Sequence, residues 1–182
     1  MIVNTTHRCW TIVVALALTA GVVQAQEVEL ARGAELLVPF KRDLQEALRL
    51  GLVQGAVQAI SACQLQAPEI AEALSLDSMS LGRTSHRLRN PANASPGWVR
   101  PILEDYVASS SVRAPRIVAL PNKRSGYVEP ILLQPLCLTC HGDVLAPDIE
   151  SRINDLYPED RAVGFQVGDL RGVFWIEFPA EE

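Results

Sequence analysis

The sequence predicts an α+β fold with an antiparallel sheet and a long N-terminal helix. Apolar residues follow helical spacing in the first half of the chain, and strand patterns dominate the second half. The strand–helix–strand alternation that builds a parallel sheet is not seen. No internal repeat or second domain is visible, so one domain is expected.

The first 25 residues have the layout of a secretory signal peptide. A weakly basic stretch precedes an apolar run over residues 10–23, and Ala25 ends a small-residue cleavage site. The run is shorter than the roughly 20 residues of a membrane-spanning helix. We predict a signal peptide at residues 1–25 and one exported, periplasmic domain at residues 26–182. No stable membrane insertion is expected after cleavage; a retained N-terminal anchor is the alternative.

Two helices are predicted next. Apolar residues recur near helical spacing over residues 38–62, namely Leu44, Leu48, Leu52 and Ile60. Pro39 fits the first turn of this helix. Ala67-Pro68-Glu69 then restarts a short helix that runs to about Leu74, because proline and an acidic residue favour a first turn.

The middle of the chain changes from helix to strand. Residues 89–97 are rich in Pro, Asn, Ser and Gly and predict a loop, and a helix follows over residues 98–107 with Ser95 or a neighbour as its cap. Residues 116–120 and 127–133 are strand-like on either side of a polar turn, which indicates a hairpin.

The last elements are a short amphipathic helix and a strand. Residues 148–156 show apolar residues at helical spacing, with Asp148 as the predicted cap. Residues 172–178 alternate and so predict a strand. Its two faces are Phe174, Ile176 and Phe178 on one side, and Val173, Trp175 and Glu177 on the other.

Charge and cysteine content narrow the classes of function. The formal net charge of −5 gives no electrostatic reason to expect nucleic acid or an anionic membrane as a partner. Once the signal is removed with Cys9, three cysteines remain: Cys63, Cys137 and Cys140. In a compartment that favours disulfides, an odd number requires another use for at least one of them.

The motif Cys137-Leu138-Thr139-Cys140-His141 is typical of covalent haem attachment. Two thiols at this spacing add to the two vinyl groups of one porphyrin, and the adjacent imidazole becomes the proximal iron ligand. A single copy of the motif predicts one haem c. Production would then need the cytochrome c maturation machinery.

Three other interpretations of the motif remain open. A zinc site normally needs four converging protein ligands. A thioredoxin-like dithiol would expect a βαβ context, whereas this motif follows a strand-like run. A disulfide between Cys137 and Cys140 is the third. The histidine that follows directly, in a chain with an export signal, favours haem over all three.

The second axial iron ligand is less defined by the residues alone. The candidates are Cys63, Met79 and His86. Cys63 is either an iron ligand or a buried thiol that packs as a small apolar residue. Four arginines are candidate partners of the haem propionates, and Arg89 is the preferred one. The alternative is that they form a solvent-exposed charged face. These arginines are Arg83, Arg87, Arg89 and Arg100.

Several segments together carry a family resemblance. They are, in chain order, Ala59-Ile60 with Cys63, Ala67 to Ala71, Arg89 to Asn93, Cys137 to Gly142, Tyr157 to Phe165 and Gly168 to Gly172. They resemble the PAS-like c-type haem domains, a family long catalogued as a domain of unknown function. The resemblance implies a PAS-like α+β fold with one haem c against the sheet, His141 as proximal ligand and Cys63 as the other axial ligand.

The function predicted from these observations is that of an exported monohaem cytochrome. Members of the family often form the sensory part of signalling proteins, so redox or small-ligand sensing with a redox or signalling partner protein is expected. A soluble electron carrier is the alternative. An enzyme such as a peroxidase is not expected, because the sequence supplies no convincing acid–base constellation.

Overall fold

The described part of the chain forms two long helices followed by a mixed set of strands and short helices. The structure is a computed structural model that describes residues 8–76, 78–109 and 113–180, without the side chains of residues 8–23, 25, 62 and 63. The helices are α1 (Arg8–Gln54), α2 (Ala56–Leu74), α3 (Arg100–Ala108), α4 (Leu138–His141) and α5 (Pro147–Leu156). The strands are β1 (Ser80–Thr84), β2 (Arg116–Leu120), β3 (Arg124–Leu132) and β4 (Leu170–Phe178).

The four strands form one antiparallel sheet in the order β1-β4-β3-β2. The predicted α+β class is therefore confirmed, with its long N-terminal helix and flanking short helices. The hairpin of β2 and β3 is also confirmed. Strand β1 was missed by the sequence interpretation, because five residues at a sheet edge are defined by pairing with β4 more than by their own pattern.

Helices cover both faces of the sheet. On one face, Leu37 and Phe40 of α1 pack against Tyr127 and Ile176. On the other face, α3 packs against strand residues that include Val173 and Trp175. The two predicted faces of β4 are thus both used, since Phe174, Ile176 and Phe178 lie on the α1 side.

The N-terminal helices differ from the prediction. The single helix over residues 38–62 is wrong, because the chain turns at Gly55, whose φ of 129° is open to glycine alone. Gly51 allows the two helices to approach closely, since a Cβ there would lie 2.6 Å from the Cα of Ala59. Pro39 and Pro68 were both expected in first turns, but each lies inside a helix. Packing of α1 against α2 outweighs the local preference of proline.

The two predicted helix caps are also wrong. Ser95 does not cap α3, whose first residue follows Val99; its hydroxyl lies instead 2.9 Å from the hydroxyl of Thr84. Asp148 lies in the first turn of α5, after Ala146. An acidic residue there still favours the helix, because it lies near the positive end of the helix dipole.

Residues 8–25 of the predicted signal peptide form the beginning of α1. Cleavage after Ala25 remains a prediction. Among the residues that the structure describes, no helix is long and apolar enough to cross a membrane.

Candidate cofactor site

A cleft lies between the helical hairpin and one end of the sheet. Its volume is about 1330 Å³, counted with the part that is open to solvent. Helix residues such as Leu52 and Ile60 form one wall, and Leu133 and Phe174 belong to the sheet side. The apolar side chains of these walls suit a large, mostly apolar ligand.

The Cys-x-x-Cys-His motif forms part of the cleft wall. A 3-10 turn, Pro135–Cys137, leads directly into α4, which ends when the N–H of Gly142 donates to the carbonyl of Leu138 at 3.0 Å. Cys137 and Cys140 are three residues apart on this continuous turn, so they lie on one side of it. Both line the cleft, both are half-buried, and no disulfide joins them.

His141 presents a neutral imidazole to the cleft. Its Nδ1 lies 2.6 Å from the carbonyl oxygen of Ala162, and a carbonyl only accepts, so the proton is on Nδ1. Burial, and then the charges of Arg171 and Arg89, lower the pKa of His141 to about 2. Nε2 therefore carries a lone pair at neutral pH. A carbonyl that fixes the tautomer in this way is the usual support for a metal-ligating histidine.

A buried ion pair holds the segment that carries this carbonyl. Nη2 of Arg89 donates to a carboxylate oxygen of Asp160 at 3.1 Å and to the carbonyls of Cys140 and Ala162 at 2.6 and 3.2 Å. The other oxygen of Asp160 accepts from the N–H of Ala162 at 2.8 Å. Arg89 and Asp160 thus connect the cysteine motif to the backbone group that orients His141.

This network was not foreseen from the sequence. The only sequence signal for Asp160 is its place in one of the segments that carry the family resemblance. Arg89 was considered a propionate partner; it lines the cleft, but its Nη2 is committed to the three oxygens above. Its Nε is buried without a hydrogen-bond partner among the described residues. The propionate role stays a prediction.

Arg171 lies against the lone pair of His141. Its Nε is 3.5 Å from Nε2 of His141, and its Nη1 donates to the carbonyl of Arg87 at 3.3 Å. Burial, followed by the charges of Arg83 and Arg89, lowers the pKa of Arg171 to about 9. The guanidinium is still charged at neutral pH, although its burial and the neighbouring arginines disfavour the charge.

The second-ligand candidates fall in different places. Cys63 belongs to α2, but its side chain is outside the described residues; Ile60 and Ala67, one turn before and after it, line the cleft. Met79 packs in the core between α1 and the sheet. His86 is not part of the cleft lining and packs edge-on against Phe165.

The other arginines that the sequence analysis names lie in different parts of the structure. Arg83 lines the cleft together with Arg89. Arg87 lies over the ring of Phe165 at 4.1 Å and donates to the carbonyl of Arg161. Arg100 begins α3, outside the cleft.

The described residues contain no ligand cluster that would support a zinc site. Within the ranges that the structure describes, no group of three or more His, Cys, Asp or Glu side chains is placed to hold a metal ion. A closed tetrahedral zinc site would need four converging ligands.

Comparison with known proteins gives one family and one solved structure. The sequence matches the Tll0287-like family over residues 16–179. The structure is similar to that of the cyanobacterial haem protein Tll0287, with 24% sequence identity and a TM-score of 0.62 over 85% of this chain and 96% of that chain. At this identity, the likeness establishes the fold alone. No curated protein sequence matches the chain.

Proposed function

The chain belongs to the Tll0287-like family, and from this premise we propose that it is an exported haem protein with one haem attached covalently at Cys137 and Cys140. The family predicted from the motif segments is confirmed. Family membership supports a haem-binding protein; the covalent attachment, the single haem and the export are our proposal.

The observation that carries the proposal is the state of His141. Its imidazole is neutral, its proton is held on Nδ1 by a backbone carbonyl, and the lone pair of Nε2 lies at the cleft that both motif cysteines line. A neutral, oriented imidazole is the donor that haem iron requires. The apolar walls suit a porphyrin face, and the arginines suit its carboxylates. The residues present therefore fit the cofactor.

The thiols of Cys137 and Cys140 would hold the porphyrin covalently. Each thiol would add across one vinyl double bond, so that the sulfur bonds to one carbon and the thiol hydrogen to the other. Nothing leaves and no oxidant is consumed. When bound, the cofactor supplies a redox-active iron with two axial positions.

We assign one axial position to His141 and the other to Cys63. The helix position of Cys63 supports this assignment, because residues one turn away on either side, Ile60 and Ala67, line the cleft. A thiolate ligand donates electron density to the iron, so a low reduction potential would follow.

We propose redox or small-ligand sensing as the role of this haem, and a soluble periplasmic electron carrier as the alternative. Two strong protein ligands suit electron transfer and redox sensing, because nothing needs to leave the iron, whereas small-ligand sensing requires that one ligand departs. We propose no enzymatic activity. Of the described side chains that line the cleft, none is an aspartate or glutamate that would serve as an acid–base group.

Export and maturation complete the proposal. Residues 1–25 would direct the chain across the membrane, and the cytochrome c maturation machinery would attach the haem there. A redox or signalling protein would be the partner. Neither nucleic acid nor stable membrane insertion is part of the proposal.

The test is production of the chain together with the maturation machinery, followed by a haem stain on a denaturing gel. The double variant Cys137→Ala, Cys140→Ala should lose the stained band. Cys63→Ala is the matched control: it should keep the covalent haem and change the oxidised absorption spectrum. A haem band that survives in the double variant would refute covalent attachment at Cys137 and Cys140, and an unchanged Cys63→Ala spectrum would remove Cys63 from the iron.

Carbon monoxide separates small-ligand sensing from redox sensing and electron transfer. Ready binding to the reduced protein would indicate that one ligand departs on reduction, which favours sensing of a diatomic gas. A reduced haem that ignores carbon monoxide would favour electron transfer or redox sensing.

A further inference from the structure

The cleft concentrates positive charge in a chain that is acidic overall. Its described lining contains Arg83, Arg89 and Arg171 but no aspartate or glutamate, although the whole chain has a formal net charge of −5. The nearby carboxylate of Asp160 is engaged by Arg89. The cleft is therefore suited to a ligand that carries negative charge as well as a large apolar surface.

The hydrogen bonds of Arg171 are long. Its Nε donates to Nε2 of His141 at 3.5 Å, and its Nη1 donates to the carbonyl of Arg87 at 3.3 Å. Over the ranges that the structure describes, no carboxylate lies within ion-pair distance of its guanidinium. A charged group set into a protein without a counter-ion is costly, so a counter-ion from the ligand would be stabilising.

Arg171 lies at an irregularity in the pairing of β3 with β4 and lines the cleft. In the pairing of β3 with β4, Ile131 lies opposite Gly172 and Leu132 opposite Leu170, so that Arg171 is the extra residue of a β-bulge. Bulges redirect side chains and occur next to functional sites. In a regular ladder, Arg171 would have a partner on β3 and a fixed direction across the sheet.

The position of Arg171 is incompatible with a metal bound to His141. A metal bonds to an imidazole nitrogen at about 2.0–2.1 Å, as zinc does, whereas Nε of Arg171 lies 3.5 Å from that same nitrogen. The guanidinium and an iron atom cannot both face Nε2. Arg171 has to turn away when the lone pair of His141 is used.

We propose that Arg171 is the residue that recognises a carboxylate of the porphyrin, and that it covers Nε2 of His141 until the porphyrin enters. This inference rests on the proposed haem function and adds the residue that recognises the free carboxylates of the porphyrin. The guanidinium leaves a weak contact with the imidazole and gains a charge-assisted contact that its fork of N–H groups matches.

The test uses two porphyrins that differ only in their carboxylates. The full chain, produced without attached haem, is titrated with ferric protoporphyrin IX and with its dimethyl ester, and the Soret absorption reports binding. The bond from His141 to iron is available to both, so their ratio of affinities isolates the carboxylates. We expect the diacid to bind more tightly, and Arg171→Gln to reduce that preference by about tenfold, the factor that a charge-assisted hydrogen bond contributes.

Two further variants keep the test decisive. Arg171→Lys retains the charge but not the fork, so it should lose part of the preference, and it carries the test if Arg171→Gln does not fold. Arg100→Gln removes an exposed arginine outside the cleft and should leave the preference unchanged. An unchanged preference in both Arg171 variants would overturn the role of Arg171 while haem binding stands. Failure of the unaltered chain to bind either porphyrin would overturn the recognition of a free porphyrin by Arg171, whereas a missing haem-stained band after production with the maturation machinery would overturn the haem function itself.

Discussion

Replacement of Asp160 by asparagine tests the network that supports His141. The carboxylate accepts from Nη2 of Arg89 at 3.1 Å and from the N–H of Ala162 at 2.8 Å. Its side chain is 6% exposed and that of Arg89 is 12% exposed. Asp160→Asn keeps the size and one acceptor oxygen, so the bond to Ala162 survives. The negative charge opposite Arg89 is lost, and an amide NH2 group, which only donates, replaces the oxygen that accepted from Nη2 of Arg89.

The expected cost follows from the burial of this pair. Loss of one partner from a buried ion pair costs about 3–5 kcal/mol, because the other charge is left without compensation. The surviving bond to Ala162 places Asp160→Asn near the lower limit, at about 3 kcal/mol. The matched control is Asp105→Asn, which breaks an ion pair with Arg116 at 2.7 Å whose side chains are 61% and 35% exposed. An exposed pair contributes about 0–1 kcal/mol.

The assay is urea unfolding of both variants beside the unaltered protein. The midpoint should fall strongly for Asp160→Asn and little for Asp105→Asn, with similar slopes. Because the network orients His141, the haem-loaded Asp160→Asn protein should also show an altered Soret band, which a purely structural role would not produce. Equal costs for the two variants would refute the argument from burial.

Two other predictions concern the pH response and the helix break. The pKa of His141 is lowered to about 2 in the folded protein, so the unfolded chain binds its proton first and the haem-free protein loses stability as the pH falls below about 6.5. Urea unfolding should show this loss as about 2 kcal/mol between pH 7 and pH 5; His141→Gln should lack it, and parallel curves for the two proteins would contradict the assignment. Gly55→Ala should lower the free energy of unfolding by about 1–3 kcal/mol, because alanine is strained at a φ of 129°. The control Gly97→Ala, with nothing near its added Cβ, should change that free energy by less than about 0.5 kcal/mol. Equal effects of the two substitutions would show that the turn at Gly55 is not strained for alanine.

Much of the fold was predictable because its signals are local. The alternation along residues 172–178 predicted both faces of β4, and the turn between two strand-like runs predicted the hairpin of β2 and β3. The errors lie where tertiary contacts override local preference. Pro39 and Pro68 lie inside helices, and Gly55, which no spacing rule singled out, separates α1 from α2.

The candidate site also combines residues that the sequence predicted with residues that only the tertiary structure brings together. The sequence by itself determined the cysteines and histidine of the motif, because their chemistry depends on a spacing of five consecutive residues. Only the tertiary structure decided what supports them. Arg89 lies 71 residues before its partner Asp160, and a β-bulge brings Arg171 to Nε2 of His141. Hydrogen bonds and charge act through space, so residues far apart in the chain become partners only when the sheet and helices have placed them.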